Sequence, residues 1–544
     1  MVVDLTSEIN TYDIRFRKIY FKKYLELRGQ FTKWIGQNSV KNNLDWWLSI
    51  PASRNFNLSE LYHNFCIVES VKEANKRGLI SELILSDNDL KKILKSQLKV
   101  KFAINFRNKS YNSIFSNFYQ ILKQYTFFLL IFFLANFLKT SKLKNEKKYV
   151  LIDTFLEGND LKTNRFYGKN LLKKIDQKNN VIFIPCLYTG MGIINVIKKI
   201  FIFKKNKNYI LKERHLSFND IIRSFFSIFR IKNFKKSFSN LKGVDYTSMI
   251  QKELCSYKNL TGQILGWQNY LFFKNLKSSD IKLKKTINWF ENQSSDRGWN
   301  LGVRKFFPKV KNFGYQGFTY LPQYMCLSPS ANENVSKVVP ETILSIGKRF
   351  NSTKKEFCKN TIVKVAPALN FQYLHHKKNH YKKRKTKNRI LIILSGFFED
   401  DLNLIKWIMN SKLNEHNYEV SIKEHAILKL EKIMKKLGSF PKNFSLTKNN
   451  FSDAVKNNNI FICSGATSAL TELIVQGKFC IIPRINPFDG VSFKKIGIFK
   501  NYKVIENSEE LINYLENFEN KKTKKYPIND FFTKINNKNI KIFL

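Results

Sequence analysis

The feature that most constrains the fold is a regular alternation of short apolar runs and helix-compatible stretches from residue 341 onward. Continuous apolar strands joined through helices are typical of a parallel, doubly wound sheet. Residues 341–544 are therefore predicted to form one Rossmann-like domain. Strands are expected at 341–347, 361–367, 390–395, 418–423, 459–463 and 479–483, and helices at 400–411, 426–437, 467–475 and 508–518.

The preceding part of the chain shows the same pattern less regularly. Apolar runs at 148–155 and 180–187 are separated by a helix-compatible stretch, and further strands are expected at 286–290 and 313–319. Residues 1–340 are therefore predicted to form a second α/β domain. A chain of 544 residues is long enough for two or three cores. The expected fold class is α/β, with two Rossmann-like domains that face each other across a cleft.

The charge balance favours anionic partners. The chain has 94 Lys and Arg against 42 Asp and Glu, a net charge of +52. Lys, Asn, Ile and Phe are abundant along the whole length, so part of this excess reflects a compositional bias of the source. The remaining shortage of acids suits phosphorylated ligands, anionic lipids or nucleic acid.

The seven cysteines are odd in number and contain no CxxC pair. This argues against a disulfide framework or a structural zinc site, and it favours a reducing cytoplasm and no metal. The first residues include Asp4 and Glu8 and have no apolar core, unlike a signal peptide.

Residues 125–138 (YTFFLLIFFLANFL) form an uncharged apolar run with Lys123 before it and Lys139 directly after it. A spanning helix needs about 20 apolar residues, so this run is short. It fits a buried helix, an interfacial helix with lysines at the headgroup level, or a span; the interfacial helix is favoured. The chain is accordingly expected to be cytoplasmic, peripheral on the inner face of the cytoplasmic membrane, with an anionic membrane surface as a partner.

A small-residue bend after the strand at 459–463 is a candidate phosphate site. The residues Ser464, Gly465, Thr467 and Ser468 open the next predicted helix. The first turn of a helix has free N–H groups and a partial positive charge, and small side chains let an anion approach them. The alternative is that these hydroxyls only cap the helix.

Lys423 and His425 lie at the end of the strand at 418–423, at the same predicted sheet edge. Ligands of open α/β sheets bind outside such strand ends. His425 is suited to donate to a phosphate or to act on a leaving group. The alternative is a structural histidine.

Glu291 follows the strand at 286–290, directly after Trp289 and Phe290. A carboxylate among aromatic rings is suited to a raised pKa and to the work of a general base. The alternative is that Glu291 caps the next helix. Weaker candidates, for an acceptor, are Glu157, Asp160, Gln293 and Gln316.

Residues 464–483 (SGATSALTELIVQGKFCIIP) resemble the donor-binding segment of glycosyltransferases with the GT-B fold, in which a Glu precedes a Gly by five residues, as Glu472 precedes Gly477 here. Residues 418–425 resemble the strand ending in His-Pro of bacterial surface-polysaccharide transferases, although Ala426 replaces the Pro. Residues 289–296 and 314–317 resemble the ENQ…GYQ pattern of surface-carbohydrate biosynthesis proteins, although Gly317 stands where relatives often have His.

This resemblance implies a GT-B fold and the transfer of a sugar from a nucleotide-activated donor to a surface polysaccharide or lipid-linked glycan of O-antigen or capsule type. It implies that the bend residues and Lys423 bind the donor phosphates with help from His425. Glu472 would contact ribose or sugar hydroxyls, and Glu291 would activate the acceptor hydroxyl. Neither a metal nor a cofactor is expected, since the nucleotide sugar is a substrate.

Two other functions fit parts of the sequence. The basic run at 375–389 (HHKKNHYKKRKTKNR) is compatible with nucleic-acid binding. However, Tyr381 is its only aromatic residue and the sequence has no recognition motif, so nucleic acid is not a favoured partner. The third possibility is a non-catalytic, membrane-associated scaffold of polysaccharide assembly.

Overall fold

The computed structural model shows two parallel six-stranded sheets and a smaller third sheet. It describes residues 1–39, 43–98, 103–106, 114–155, 166–168, 171, 175, 180–234, 237–376, 389–425, 428–438, 441, 443–465, 467–517 and 523–544. The small sheet, near the N-terminus, is parallel, and its order is β1 (Val2–Asp4), β2 (Glu82–Leu85), β3 (Ala103–Phe106).

The first large sheet has the order β5-β4-β6-β7-β8-β9, with every neighbouring pair parallel. Its central strands are buried on both faces; Leu151, for example, pairs with Ile182 on one side and Thr286 on the other. The strands are β4 (Lys148–Phe155), β5 (Val181–Cys186), β6 (Lys282–Trp289), β7 (Lys311–Gln316), β8 (Thr342–Ser345) and β9 (Ile362–Val365).

The second large sheet has the order β12-β11-β10-β13-β14-β15 and is also parallel throughout. Ile390 at its centre pairs with Val420 and Ile460, so continuous apolar runs produce strands covered on both faces. The strands are β10 (Arg389–Ile393), β11 (Glu419–Lys423), β12 (Phe444–Leu446), β13 (Ile460–Cys463), β14 (Cys480–Pro483) and β15 (Tyr502–Ile505).

Helices connect and cover these strands. In chain order they are α1 (Ile14–Glu26), α2 (Arg28–Gln37), α3 (Leu44–Leu48), α4 (Ile50–Ser53), α5 (Leu61–Lys76), α6 (Asn88–Gln97), α7 (Ile114–Phe137), α8 (Ile193–Lys205), α9 (Phe218–Phe225), α10 (Ser227–Lys232), α11 (Thr247–Leu254), α12 (Leu260–Ser278), α13 (Ser294–Phe306), α14 (Ala331–Val335), α15 (Phe398–Asn410), α16 (Leu430–Leu437), α17 (Phe451–Asn457), α18 (Ser468–Val475), α19 (Ser492–Lys495), α20 (Glu510–Glu516) and α21 (Ile528–Phe531). The predicted fold class, α/β with two Rossmann-like domains, is confirmed.

The structure corrects the predicted domain boundary. Strands β8 and β9 fall within residues 341–544, the predicted second domain, but β8 pairs with β7 of the first sheet and β9 pairs with β8. The first sheet therefore runs to Val365, and the second begins at Arg389. Local pattern could not reveal this because an apolar strand fits either parallel sheet equally well.

The C-terminal segment also departs from the prediction, since it returns to the first domain. The backbone N–H of Thr533 donates to Ile346 O at 2.7 Å, and Thr533 O accepts from Ala368 at 2.9 Å. The ring of Phe543 lies 5.1 Å from that of Tyr315 in β7, measured between centroids. The chain therefore passes between the domains twice, once between β9 and β10 and once after α20.

Helix α7 contains most of the apolar run at 125–138. It packs against α8, α9 and α12, which buries Phe127, Phe128 and Ile131. The stretch Phe118–Phe137 is long and apolar enough to cross a membrane, and 33% of its most apolar window is buried within the protein. The helix is thus packed on one side and exposed on another.

Candidate functional site

The predicted donor residues lie at one edge of the second sheet, where β11, β10, β13 and β14 end side by side. We call this the carboxyl edge of the second sheet. His425 follows β11, and Gly396 follows β10 with φ +89°. A methyl group added at Gly396 would collide with the His425 imidazole, so the two loops are in close contact. The strands that precede His425 and Ser464 are separated in the sheet by β10 alone.

The bend after β13 is more enclosed than predicted. Ser464 is completely buried. The N–H of Gly465 donates to Asp489 Oδ1 at 2.8 Å, so this donor is already used within the protein. The hydroxyl oxygen of Thr467 accepts from Ala469 N at 3.3 Å and thus caps α18. Capping, the alternative interpretation, therefore holds for Thr467, and the first turn of α18 is the part of the bend with donors for a ligand.

Asp489 ties the bend to the loop after β14. Its second carboxylate oxygen accepts from Ile485 N at 3.0 Å and Asn486 N at 2.7 Å. Burial raises the pKa of Asp489 to about 6 and that of the neighbouring Asp400 to about 7. With its pKa near neutral pH, Asp400 carries less negative charge there than an ordinary carboxylate, which lowers its repulsion of a bound anion.

Glu472 and Lys423 are engaged differently from the prediction. Glu472 is buried one turn after Ser468 on α18, and its carboxylate accepts from the Tyr373 hydroxyl. The Lys423 amine donates to Asn449 O at 2.7 Å, on the β12 side of β11 and away from β13. Both side chains thus have protein partners in this state of the molecule.

Glu291 lies at the carboxyl edge of the first sheet, directly after β6 and Phe290. Its Oε1 accepts from Trp289 Nε1 at 2.8 Å, and its backbone N–H donates to Asp296 Oδ2 at 3.0 Å. The side chain is half-buried. Burial raises the pKa of Asp296 to about 7, and the Glu291 charge acts in the same direction. The indole and the backbone anchor therefore hold one carboxylate oxygen in a defined position.

The other residues of the predicted motif build the turn that carries Glu291. Asn292 adopts φ +57° and donates to Glu333 Oε1 at 3.0 Å, and Arg297 donates to the same oxygen at 2.8 Å. Gln293 N donates to Asp296 Oδ2, and its Oε1 accepts from Asn55 at 3.4 Å. These hydrogen bonds hold the turn that carries Glu291 in place.

Gln316, a predicted acceptor-side residue, is fully buried at the end of β7. Its Nε2 donates to Leu327 O at 2.8 Å, and its Oε1 has no partner among the described residues. Gln316 thus fixes the loop after β7 rather than lining an open surface. The other two acceptor-side candidates, Glu157 and Asp160, lie outside the described residues.

The loop after β7 brings the two domains together. The Thr319 hydroxyl donates to the Ser468 hydroxyl at the start of α18, at 3.0 Å. Tyr324 packs its ring against Phe397 of the second domain at 5.8 Å between centroids, and its hydroxyl accepts from Asn57 at 3.2 Å. The carboxyl edges of the two sheets therefore face each other, as the predicted cleft requires.

Tyr324 also connects the two groups of acids. Burial raises the pKa of Tyr324, and the charges of Asp400 and Glu291 act in the same direction. Asp400 belongs to the second domain and Glu291 to the first. An acid from each domain therefore lies near the Tyr324 ring. Sequence reasoning did not find Tyr324, Asp489 or Tyr373; they lie in loops or short 3-10 helices where no periodicity marks a buried position.

No group of three or more His, Cys, Asp or Glu side chains able to hold a metal ion is found among the described residues.

Comparison with known proteins gives remote fold neighbours only. No protein-family model and no curated protein sequence matches the chain. Among solved structures, MurG of Acinetobacter baumannii matches with 11% identity and a TM-score of 0.37, over 68% of this chain and 91% of that one. UDP-GlcNAc 2-epimerase of Neisseria meningitidis, bound to UDP-GlcNAc, matches with 12% identity and a TM-score of 0.39, over 72% and 98%.

A third neighbour is the spinosyn rhamnosyltransferase SpnG in complex with thymidine diphosphate, with 9% identity and a TM-score of 0.36, over 68% of this chain and 91% of that one. Identities and TM-scores this low transfer neither a reaction nor a residue role.

Proposed function

We propose that this protein is a nucleotide-sugar-dependent glycosyltransferase of the GT-B type. It transfers a sugar to a surface polysaccharide or lipid-linked glycan. The donor phosphates lie at the first turn of α18 beside His425, and Glu291 acts on the acceptor from the opposite domain. The observation that carries the proposal is the contact between Thr319 and Ser468, which sets the carboxyl edge of one sheet against that of the other.

In the proposed reaction the first domain acts on the acceptor and the second domain acts on the leaving phosphate. The acceptor hydroxyl attacks the anomeric carbon of the donor sugar while the bond from that carbon to the phosphate oxygen breaks. The acceptor proton passes to Glu291, and the electron pair of the broken bond stays on the leaving phosphate. The helix dipole and first-turn N–H groups of α18 stabilise that charge, with His425 as a further donor.

The proposal includes four further details of this function. They are an acceptor of O-antigen or capsule type, independence from metal and from any cofactor, a cytoplasmic location on the inner face of the membrane, and an anionic membrane surface as a partner. The basic composition and the exposed side of α7 support the membrane partner. A nucleic-acid partner is not proposed.

The test is nucleotide release by the full chain, with a panel of activated sugars and with membranes as the source of acceptor. The decisive variant is Glu291→Gln, which keeps an oxygen for Trp289 Nε1 but cannot take a proton. We expect release to fall by a factor of about 10² to 10⁴, with the melting temperature almost unchanged because the side chain is half-exposed.

The exposed surface variant Asp280→Asn controls for the loss of a charge. If wild type releases nucleotide from no activated sugar, the proposal fails. If Glu291→Gln is as active as wild type, Glu291 is not the base. If the protein keeps its cellular function with both Glu291→Gln and His425→Ala, it is a scaffold. Salt-sensitive retention on DNA without nucleotide binding would instead indicate a nucleic-acid-binding protein.

A further inference from the structure

The exposed large apolar side chains of the protein are concentrated in one region. Seven of the eight exposed phenylalanines among the described residues belong to α7, α8, α9, α10 or the residue between α9 and α10. Soluble proteins scatter such side chains singly, whereas contiguous ones mark a site of interaction. On α7 the exposed large apolar residues are Phe118, Tyr119, Leu122, Phe133 and Phe137, the last with 82% of its surface accessible.

The four helices adjoin, so their exposed side chains form a connected surface. Tyr125 of α7 stacks on Phe225 of α9 at 4.2 Å and donates its hydroxyl proton to Phe225 O. The ring of Phe133, exposed on α7, lies 6.3 Å from that of Phe218, exposed on α9. At the other end of α9, Phe226 and Phe229 are both exposed, with centroids 5.9 Å apart.

Helix α8 adds further exposed apolar residues next to α7. It packs on α7, and Ile194, Phe201 and Ile202 remain exposed while Val196, Ile200 and Phe203 face inward. The sequence prediction covered only residues 125–138. The exposed side chains of α8, α9 and α10 were not predicted, because the sequence does not show which apolar residues of a helix the tertiary packing leaves uncovered.

The charges on these helices are almost all positive. The four helices contain eight Lys or Arg residues and a single acid, Asp220. That acid is engaged locally, since Asp220 Oδ2 accepts from the Ser217 hydroxyl and from Asn275. Apolar side chains among basic ones match a bilayer with anionic headgroups, because the rings enter the acyl boundary while the cations stay at the phosphates.

The surface lies next to the first-domain side of the cleft. Gln124 of α7 donates to the Thr189 hydroxyl at 3.1 Å, and Thr189 lies just beyond the end of β5. The carboxyl end of β5 is two strands from β6, which carries Glu291, a separation of about 10 Å in the sheet at ordinary strand spacing.

We propose that the exposed apolar side chains of α7, α8, α9 and α10 form one docking surface for an anionic lipid bilayer. Docked in this way, the protein lies flat on the bilayer with α7 parallel to it, and the carboxyl edge of the first sheet opens beside the headgroups. The docking itself is independent of the reaction. Its consequence, that the acceptor reaches Glu291 from the membrane, rests on the proposed function.

The experiment is co-sedimentation of the full chain with vesicles of phosphatidylcholine, with and without phosphatidylglycerol, at low and high salt. We expect binding to the anionic vesicles and a marked loss at high salt. The triple variant Phe133→Ser, Phe218→Ser and Phe229→Ser should weaken binding by about tenfold or more, because it removes three exposed rings from the surface. The matched control is Phe499→Ser, which removes an exposed ring from the second domain.

A second pair of variants tests the charges. Lys204→Glu with Lys205→Glu at the end of α8 should weaken binding to anionic vesicles about tenfold, whereas Lys435→Glu with Lys436→Glu on α16 should not. The proposal is overturned if wild type does not bind anionic vesicles, or if the triple variant binds like wild type. It is also overturned if wild type without lipid is a dimer that the triple variant dissociates, since a second copy would then cover the surface.

Nucleotide binding measured without vesicles separates this inference from the proposed function. A triple variant that binds nucleotide normally but not vesicles supports the docking surface. Vesicle binding without any nucleotide binding leaves the surface in place and refutes the transferase.

Discussion

At the scale of single residues, most of the predicted site residues have protein partners that their sequence context did not reveal. Glu472 shows this most clearly: its spacing to Gly477 suggests a ligand contact, yet its carboxylate is buried against the Tyr373 hydroxyl. Glu291 differs, because its side chain is half-buried at the carboxyl edge of the first sheet, where its Oε1 accepts from Trp289 Nε1. Glu291 is therefore the better candidate for chemistry.

The environment of Glu472 predicts a dependence of stability on pH. Burial raises the pKa of Glu472 from its ordinary 4.5 to about 7. Between these values the folded protein binds the proton and the unfolded chain does not, so the contribution to stability is complete below pH 4.5 and is lost as the pH rises toward 7. Glu472→Gln removes this titration and keeps an oxygen for Tyr373.

Wild type should lose about 2 kcal/mol of unfolding free energy between pH 5 and pH 8 through this group, and Glu472→Gln should not. The stability of the variant relative to wild type should therefore rise by that amount over this pH range. Urea unfolding at both pH values measures the difference. The control, Glu510→Gln, changes an exposed acid on α20 and should show no such shift. Parallel behaviour of Glu472→Gln and wild type across this range would contradict the assignment.

At the scale of elements, the close contact between the loops after β10 and β11 predicts a selective effect of one added methyl group. Gly396 and Gly438 both have positive φ, +89° and +80°, so an alanine at either position carries a backbone cost of about 1 kcal/mol. Only at Gly396 does the methyl group meet another side chain, the His425 imidazole; at Gly438 it meets open space.

Gly396→Ala should therefore reduce nucleotide release by tenfold or more, an effect of at least about 1.4 kcal/mol on the transition state, while Gly438→Ala leaves it within about twofold of wild type. Both variants should remain folded, and Gly396→Ala should lose at least as much stability as Gly438→Ala, which thermal unfolding checks. Equal activities of the two variants would show that displacing His425 has no consequence for the reaction.

Most strands of the two large sheets were predictable from the sequence because continuous runs such as those of β4, β10 and β13 leave few alternatives, whereas the three-residue strand β12 was not predicted. The convergence of the strand ends followed from their parallel direction. The pairing of strands was not predictable from the sequence, because pairing depends on contacts between residues that are distant in sequence. For this reason the assignment of β8 and β9 to the first sheet was missed. For the same reason Asp489, which anchors Gly465 from 24 residues away, was not foreseeable.

At the scale of the whole molecule, the returning C-terminal segment holds the two domains together. Phe532 is fully buried against Phe371, with 4.7 Å between ring centroids, at the crossing between the domains. Phe532→Ala should lower the free energy of unfolding by about 3 to 5 kcal/mol through the lost transfer energy and the cavity left behind. Phe499→Ala, in which the ring is exposed, should cost less than about 0.5 kcal/mol.

Urea unfolding of both variants tests this expectation. A loss of stability at Phe532 no larger than at Phe499 would mean that the C-terminal segment is not part of the folded core. The same crossing limits how the cleft can open, because a rotation of the second domain has to carry both connecting stretches with it.

The most direct test of the central claim, that the first turn of α18 holds the phosphates of an activated sugar, is calorimetric titration of the full chain with a panel of nucleoside diphosphates. We expect one-to-one binding of at least one of them, weakened by about tenfold or more in Ser468→Glu, because a carboxylate then stands where the phosphates bind. Asn88→Glu, which places the same charge at the start of the remote helix α6, should bind like wild type. No binding to any nucleotide, or equal affinities of Ser468→Glu and wild type, would contradict the account.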